Sequence, residues 1–217
     1  MPFCLLLRPM QQPRFVLSLL VGGIALVVLT PLVGCAQQQD ADSSAPFAAT
    51  PLDSLNAEKD VPYVTTPQRV VERMLELADV SENDVVYDLG SGDGRFVITA
   101  AQQFGARGVG VEIDPQLVRQ ARSQARLAGV TDRVAFRQGD LFETDLREAT
   151  VVTLYLEPDL NLRLRPKLLL QLDPGDRVVS HDFDMGAWTP DRTEKMGGST
   201  IYLWTIPKQI PAPLAQP

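Results

Sequence analysis

The sequence has few of the residues that many catalytic and metal centres need. It contains two cysteines and one histidine in 217 residues, and both cysteines, Cys4 and Cys35, lie within the first 35 positions. The remainder of the chain therefore offers no disulfide and no thiol chemistry. It also has no cluster of metal ligands, no Ser-His-Asp order and no P-loop lysine, so we expect neither a metal centre nor a serine-hydrolase triad.

Positive charge is also scarce. The chain carries 20 Lys and Arg residues against 27 Asp and Glu residues, a net charge of −7. Removing residues 1–35 takes away Arg8 and Arg14 and no acid, which lowers the net charge to −9. Nucleic-acid binding depends on neutralising phosphates, so we expect no nucleic-acid partner. A basic protein or a cationic side chain suits this charge better.

The first 35 residues are typical of an export signal. Arg8 and Arg14 precede an uncharged apolar stretch that ends in Leu-Val-Gly-Cys at residues 32–35, and Met10 is a second plausible start. A basic start, an apolar core and a small-residue end indicate a secretory signal, and this ending resembles a bacterial lipobox. We therefore expect a lipoprotein tethered through Cys35 on the extracytoplasmic side of a membrane. An uncleaved transmembrane anchor is the alternative.

The rest of the chain divides into a linker, one domain and a tail. Residues 36–60 are polar and lack an apolar period, which predicts a flexible linker. Residues 208–217 contain three prolines, and we expect a disordered tail there. Residues 61–207 alternate strand and helix patterns and contain no inserted recognition lobe. This absence mildly favours a protein substrate over a small molecule.

The alternation predicts an α/β fold with a Rossmann-like sheet of seven strands. We expect strands over residues 85–89, 107–113, 133–139, 151–156, 177–183, 192–196 and 199–206. Helices are expected over residues 68–78, 95–104, 116–128 and within 159–172, and Thr66 followed by Pro67 is typical of a helix cap. The predicted sheet is mostly parallel, with helices on both faces and an antiparallel hairpin at the C-terminus. Ligands bind such sheets at the carboxyl ends of the strands.

The segment VVYDLGSGDGR at residues 85–95 predicts a ligand site. An apolar strand is followed by Asp88 and by glycines at alternate positions, Gly90, Gly92 and Gly94, before the next helix opens. Glycines let a ligand approach the backbone where a Cβ would clash. A carboxylate before the loop favours a ligand that carries an ammonium and a sulfonium, so the segment indicates S-adenosylmethionine (SAM).

Two further acids support this interpretation. Glu112 ends the next strand, 22 residues after Gly90, where a carboxylate accepts hydrogen bonds from ribose hydroxyls; a solvent-facing acid is the alternative. Asp140 ends the third strand, where a carboxylate can accept from an adenine amino group; alone it would be an ordinary turn residue. The glycine spacing and Asp140 together disfavour an NAD-dependent dehydrogenase.

These motifs identify a resemblance. Over residues 61–207 the sequence resembles the class I SAM-dependent methyltransferases. More narrowly, it is similar to the small protein-lysine methyltransferases that modify the c-subunit of ATP synthase and the adenine nucleotide translocase, and to their bacterial relatives. The segments that carry it are YDLGSGDGRFVI (87–98), GVEIDPQLV (110–118), GDLFETDL (139–146), VTLYLEP (152–158) and RVVSHDF (177–183) with Trp188.

The resemblance implies a site for SAM, with Thr66 near its methionine end. The residues expected to bind SAM are Thr66, Asp88, Gly90, Ser91, Gly92, Gly94, Glu112, Ile113, Asp140 and Leu141.

Three residues are candidates for a part in the transfer itself. Tyr155 and Glu157 lie at the end of the fourth strand, where this class places groups that face the methyl acceptor. Glu157 would orient an amine or take its proton, or else be a first-turn acid favoured by the helix dipole. Tyr155, Phe183 and Trp188 would wall an acceptor slot through cation–π contacts, or else belong to the core.

His181 is the third candidate, as a base on the fifth strand. The alternative is a structural histidine, oriented by Asp182.

We therefore predict a membrane-tethered SAM-dependent methyltransferase that modifies a protein lysine. The alternatives are a non-catalytic module that keeps SAM affinity or only the fold, a small-molecule methyltransferase and an NAD-dependent dehydrogenase. The export signal conflicts with the family's interior location, because the outer side of a membrane holds little SAM.

Overall fold

The structure is a computed structural model that describes residues 65–211 and Leu214. The predicted signal or anchor at residues 1–35 and the linker at 36–60 lie outside the described residues. Within the described part of the chain, no helix combines the length and apolar character that crossing a bilayer requires. Of the predicted tail, Ile210 and Leu214 pack against the apolar core.

The fold is built on one seven-stranded sheet. Its strands are β1 (Val85–Leu89), β2 (Arg107–Glu112), β3 (Val134–Gln138), β4 (Val151–Leu154), β5 (Arg177–His181), β6 (Arg192–Met196) and β7 (Ser199–Thr205). They lie in the order β3-β2-β1-β4-β5-β7-β6. The first five are parallel, whereas β7 runs antiparallel to both β5 and β6. The predicted mixed sheet with a C-terminal hairpin is confirmed.

Four helices cover the two faces of this sheet. They are α1 (Gln68–Leu77), α2 (Arg95–Phe104), α3 (Pro115–Ala128) and α4 (Pro158–Gln171). The first three contribute buried side chains to one apolar cluster, and α4 contributes to a second cluster that contains Trp204. Because side chains alternate along a strand, Val86 and Tyr87 enter different clusters, which is the pattern expected of a sheet covered on both faces.

The first helix begins differently from the prediction. Thr66 does not cap it: α1 starts at Gln68, Pro67 occupies the N-cap position, and no side chain caps the helix. The Thr66 hydroxyl instead lies 3.1 Å from Nδ1 of His181, at the carboxyl end of β5. The long-range bond to a buried imidazole replaces the local cap that the dipeptide indicates.

β4 and β5 each end two residues earlier than predicted, and the difference shapes the site. β4 ends at Leu154, two residues early, and Pro158 then opens α4. β5 ends at His181 because Asp182 has a positive φ of 61°, which an extended strand does not allow. Tyr155 and Phe183 therefore lie in loops beyond the edge of the sheet, where ligands bind in such folds.

Candidate active site

The loop between β1 and α2 is held against the neighbouring strand. The amides of Gly90 and Ser91 both donate to the carbonyl of Val111, at 2.9 Å each. The amide of Gly94 donates to the carbonyl of Ser91, which closes the turn before α2. These bonds fix the loop at the carboxyl ends of β1 and β2.

Gly94 is required by both its backbone and its neighbours. Its φ is +83°, and a Cβ at this position would lie 2.5 Å from the ring of Phe136 on β3. The same Cβ would lie 3.0 Å from the Cβ of Ala121 on α3, so an added side chain would have to displace the buried Phe136 ring or α3.

Asp88 is a buried carboxylate without enough partners. Its side chain is 3% exposed, and Oδ1 accepts a 2.7 Å hydrogen bond from the Thr153 hydroxyl. Oδ2 has no hydrogen-bond partner among the described residues. Burial, together with the nearby charges of Asp93 and Glu112, raises the pKa of Asp88 to about 7. A cation bound at Oδ2 would offset the cost of burying this charge.

Glu112 sits beside the same loop. One carboxylate oxygen accepts from the amide of Gly92 at 2.9 Å, and the other accepts from the amide of Asp114 at 3.0 Å. A carboxylate has about four acceptor positions, so two remain for ligand hydroxyls. The two backbone bonds hold the carboxylate in place for that purpose.

A cavity of about 430 Å³ opens next to Glu112. It is lined by Gly90, Val111, Glu112, Ile113, Gly139, Asp140, Leu141, Phe142, Leu156 and Arg163. Five of these residues were predicted from sequence to bind SAM. Ile113 is 71% exposed, so its side chain is available to contact a ligand in this cavity.

The prediction missed part of this cavity. The guanidinium of Arg163, on α4, lies 4.1 Å from the centre of the Phe142 ring. Leu156 follows β4, so the rule that ligands bind at strand ends could have predicted it. Arg163 had no such signal, because nothing local indicates that the second turn of α4 reaches the loop after β3.

The residues present fit SAM. Asp88 offers a free carboxylate oxygen for an ammonium, and the Ser91 hydroxyl is also buried without a hydrogen-bond partner in the described part of the chain. Glu112 offers acceptors for a ribose, and the adjoining cavity has apolar walls for a base.

A second group of side chains lies beyond β4 and β5. The ring of Tyr155 lies 4.2 Å from that of His181 and stacks on Phe183 at 6.2 Å, measured between centroids. Desolvation raises the pKa of Tyr155, and the charges of Asp182 and Glu157 add to the shift. The phenol is therefore neutral, and carboxylates lie within electrostatic range of it.

His181 is enclosed by hydroxyl groups. It is 2% exposed, its Nδ1 lies 3.1 Å from the Thr66 hydroxyl, and its Nε2 lies 2.8 Å from the Ser199 hydroxyl. Burial lowers the pKa of His181, and the charge of Asp182 offsets only part of that effect. The neutral imidazole contacts the Tyr155 ring and the Thr66 hydroxyl, as expected if His181 has a structural role.

The structure also locates the remaining predicted residues. Thr66 lies near the glycine loop, because its carbonyl accepts a hydrogen bond from Arg95 at the start of α2. Trp188 lies in the core, where its ring is 5.8 Å from that of Trp204, apart from the Tyr155–Phe183 pair. Across residues 65–211 and Leu214, no group of three or more His, Cys, Asp or Glu side chains is arranged to hold a metal ion.

Comparison with known proteins identifies the family. A family model described as the ANTKMT methyltransferase domain matches residues 88–192. Over 151 residues the chain is 48% identical to a protein-lysine N-methyltransferase of Saccharolobus islandicus, a match that covers 67% of this chain and 94% of that enzyme. The chain belongs to this methyltransferase family. The methyltransferase is also 34% identical over 149 residues to the mouse lysine N-methyltransferase of the ATP synthase C-subunit, covering 69% of this chain and 60% of the mouse enzyme.

A solved structure supports the cofactor. The methyltransferase is 66% identical, with a TM-score of 0.69, to an RNA methyltransferase from Salinibacter ruber in complex with S-adenosyl-L-homocysteine (SAH). The match covers 70% of this chain and 100% of that one. SAH is SAM without its methyl group, so the predicted cofactor and the predicted SAM-dependent methyl transfer are confirmed.

Proposed function

We propose that this methyltransferase transfers a methyl group from SAM to the side-chain amine of a protein lysine. The observation that carries the proposal is the chemistry beyond β4 and β5. There the stacked rings of Tyr155 and Phe183 lie within range of the carboxylates of Glu157 and Asp182. Residues 155–162 and 181–191 contain several acids and neither lysine nor arginine. Aromatic faces and carboxylates attract a cationic side chain.

The residues account for the needs of the reaction. SAM supplies an activated methyl group on a sulfonium, so the protein must align the acceptor and exclude water. A lysine reacts only as the neutral amine, and desolvation between Tyr155 and Phe183 lowers its pKa. Glu157 is exposed and lies within electrostatic range of Tyr155, so it accepts the released proton directly or through water. The amine lone pair then forms the new N–C bond as the C–S bond breaks.

A second candidate function comes from the described activity of the solved relative. The Salinibacter ruber protein, 66% identical, is described as an RNA methyltransferase. The acidic acceptor side argues against RNA here, because Glu157 and Asp182 would repel phosphates. The Saccharolobus islandicus and mouse relatives are named as lysine N-methyltransferases.

One experiment separates these candidates. The full-length protein, in detergent, is incubated with methyl-labelled SAM and either membrane proteins or RNA from the source organism, with Glu112→Ala as the inactive control. We expect label on protein, and mass spectrometry should find it on lysine. Label on RNA with none on protein would replace the proposal by the second candidate. No label on either would support the non-catalytic module or a small-molecule acceptor.

We further propose that the protein is tethered to a membrane through Cys35. The support is the basic start, the apolar stretch and the Leu-Val-Gly-Cys ending of residues 32–35. Metabolic labelling with a fatty acid should mark the wild type and not Cys35→Ser. Protease treatment of intact cells then reports the side of the membrane: digestion of the domain indicates the outer side, and protection indicates the side where SAM is made.

A further inference from the structure

Asn161 is a fully buried polar residue that joins two loops of the acceptor side. It lies on α4 with 0% of its surface exposed. Its amide nitrogen Nδ2 donates towards the carbonyls of Phe183 and Asp184, at 3.2 and 3.4 Å, and lies 3.3 Å from the Ser180 hydroxyl. All three acceptors belong to β5 or to the loop that follows it.

The neighbouring turn of α4 strengthens this connection. Nη1 of Arg165 donates to the carbonyl of Met185 at 3.1 Å. Leu162 packs so closely on Gly186 that an added Cβ would lie 2.8 Å from it. Since α4 begins directly after Glu157, the helix ties the loop after β4 to the loop after β5. Phe183, whose ring stacks on Tyr155, lies within the segment that is held.

Packing alone does not explain an asparagine here. Its oxygen Oδ1 is buried and has no hydrogen-bond partner among the residues that can be described. A buried polar atom without a partner destabilises the folded state, and an apolar side chain would avoid that loss. The gain must therefore come from what the donor Nδ2 holds, namely the backbone at Phe183 and Asp184.

We propose that Asn161 is a positioning residue for methyl transfer, which fixes the Phe183 backbone so that the Phe183 and Tyr155 rings form the acceptor slot. This inference rests on the proposed function only in taking an amine as the occupant of that slot. Asn161 acts through the carbonyl of Phe183 and not on the reacting atoms.

The test is Asn161→Leu in the full-length protein, since leucine keeps the branching and removes the donor. We expect kcat/KM for the protein acceptor to fall about tenfold or more, because small displacements of positioning groups are costly to rate. The rise in KM for the acceptor should account for much of this loss. The Kd of SAH should stay within about twofold, since the glycine loop is untouched. Hydrogen exchange at residues 183–186 should accelerate.

Matched variants separate positioning from folding. Thr150→Val removes a hydroxyl at the amino ends of β1 and β4, away from the acceptor side. This hydroxyl donates to Asp84 at 2.6 Å and accepts from the amide of Val85. It should lower the unfolding temperature and leave KM for the acceptor unchanged. Asn161→Ala, which leaves room for water, replaces the leucine variant if leucine overpacks the site. In Phe183→Leu the Asn161 change should have little further effect, because the two act as one unit.

Several outcomes would overturn the inference. The first is an unchanged kcat/KM and an unchanged exchange rate in both Asn161 variants. The second is a loss of kcat/KM that parallels losses in unfolding temperature and SAH affinity. The third is a double variant in which the effects of the Asn161 and Phe183 changes on kcat/KM add fully. Hydrogen exchange is measured without acceptor, so it tests the inference even if the wild type methylates no lysine. If the wild type methylates no lysine but residues 183–186 still exchange faster in Asn161→Leu, the result contradicts only the proposed function.

Discussion

Replacing Asp88 by asparagine should stabilise the unliganded protein while weakening its affinity for SAH. The carboxylate is buried beside Asp93 and Glu112, and only Oδ1 has a partner in the described structure. Asparagine keeps the shape and the bond from Thr153 but carries no charge. It therefore removes both the electrostatic cost of the buried charge and the attraction for the ligand ammonium.

The size of the effect follows from the pKa. Asp88 has a pKa of about 7, against 3.8 for an unperturbed aspartate. A raised pKa means that the folded state binds the proton more tightly, so this stabilisation is complete below about pH 4 and is lost as the pH rises through 7. The difference amounts to at most about 4 kcal/mol at pH 8. Asp88→Asn should recover a large part of it.

Two measurements check this prediction. Urea unfolding without ligand should show Asp88→Asn to be more stable than the wild type at pH 8, by a margin that falls to about half at pH 5.5 and disappears near pH 4. Calorimetric titration with SAH should show wild-type affinity rising on the order of tenfold from pH 5.5 to 7.0, as the carboxylate ionises. The variant should bind more weakly, with little dependence on pH. Asp145→Asn, at an exposed carboxylate, is the control that should behave as wild type.

Two results would refute this expectation. If Asp88→Asn is less stable than the wild type at pH 8, the carboxylate is a net stabiliser of the unliganded fold. If wild-type affinity for SAH does not change between pH 5.5 and 7.0, the ammonium is not bound by Asp88.

Three other changes give sharp expectations. Glu112→Gln should weaken SAH binding at least about tenfold by titration, because an amide cannot accept from two amides and two hydroxyls at once. Gly94→Ala should lower the free energy of unfolding by about 2–4 kcal/mol, since its Cβ would meet Phe136 at 2.5 Å with φ at +83°. Arg177→Met should cost about 3 kcal/mol in urea unfolding, because it leaves the Asp84 carboxylate buried without its 2.6 Å ion pair.

Each of the two stability predictions has a matched control. Gly139 has open space where a Cβ would lie, so Gly139→Ala should leave the free energy of unfolding unchanged. Arg147 pairs with Asp145 on the exposed surface, and Arg147→Met should also have no measurable effect. If either control is as destabilising as its partner, local geometry does not explain the losses.

Local sequence signals predicted most of the fold. The apolar run before Gly90 specifies a buried parallel strand, and the Asp114-Pro115 pair specifies the start of α3, where the aspartate accepts from the amide of Gln116. Gly129 ends that helix in the left-handed conformation. Such features depend on residues a few positions apart, so the sequence alone carries them.

The parts that were missed depend on distant residues. Thr66 bonds His181 across 115 positions, and no local pattern distinguishes that partner from a helix cap. Arg163 contacts Phe142, and Asn161 contacts Phe183, because of the position at which α4 packs on the sheet. Sequence reasoning predicts which strand ends meet at the sheet edge, but it does not predict the rotation of the helix above them.

The residues of the SAM site bear on whether this domain still binds SAM or has kept only the fold. A module that no longer binds SAM would be under no requirement to keep Asp88 charged and buried, because an asparagine there would stabilise it. The chain instead retains Asp88, with Glu112 held by two amides and the glycine loop closed on Val111. The burial of the Asp88 carboxylate lowers stability, and the two amides hold the Glu112 carboxylate where ligand hydroxyls can donate to it. The cost of burying the Asp88 carboxylate therefore argues for a domain that still binds SAM.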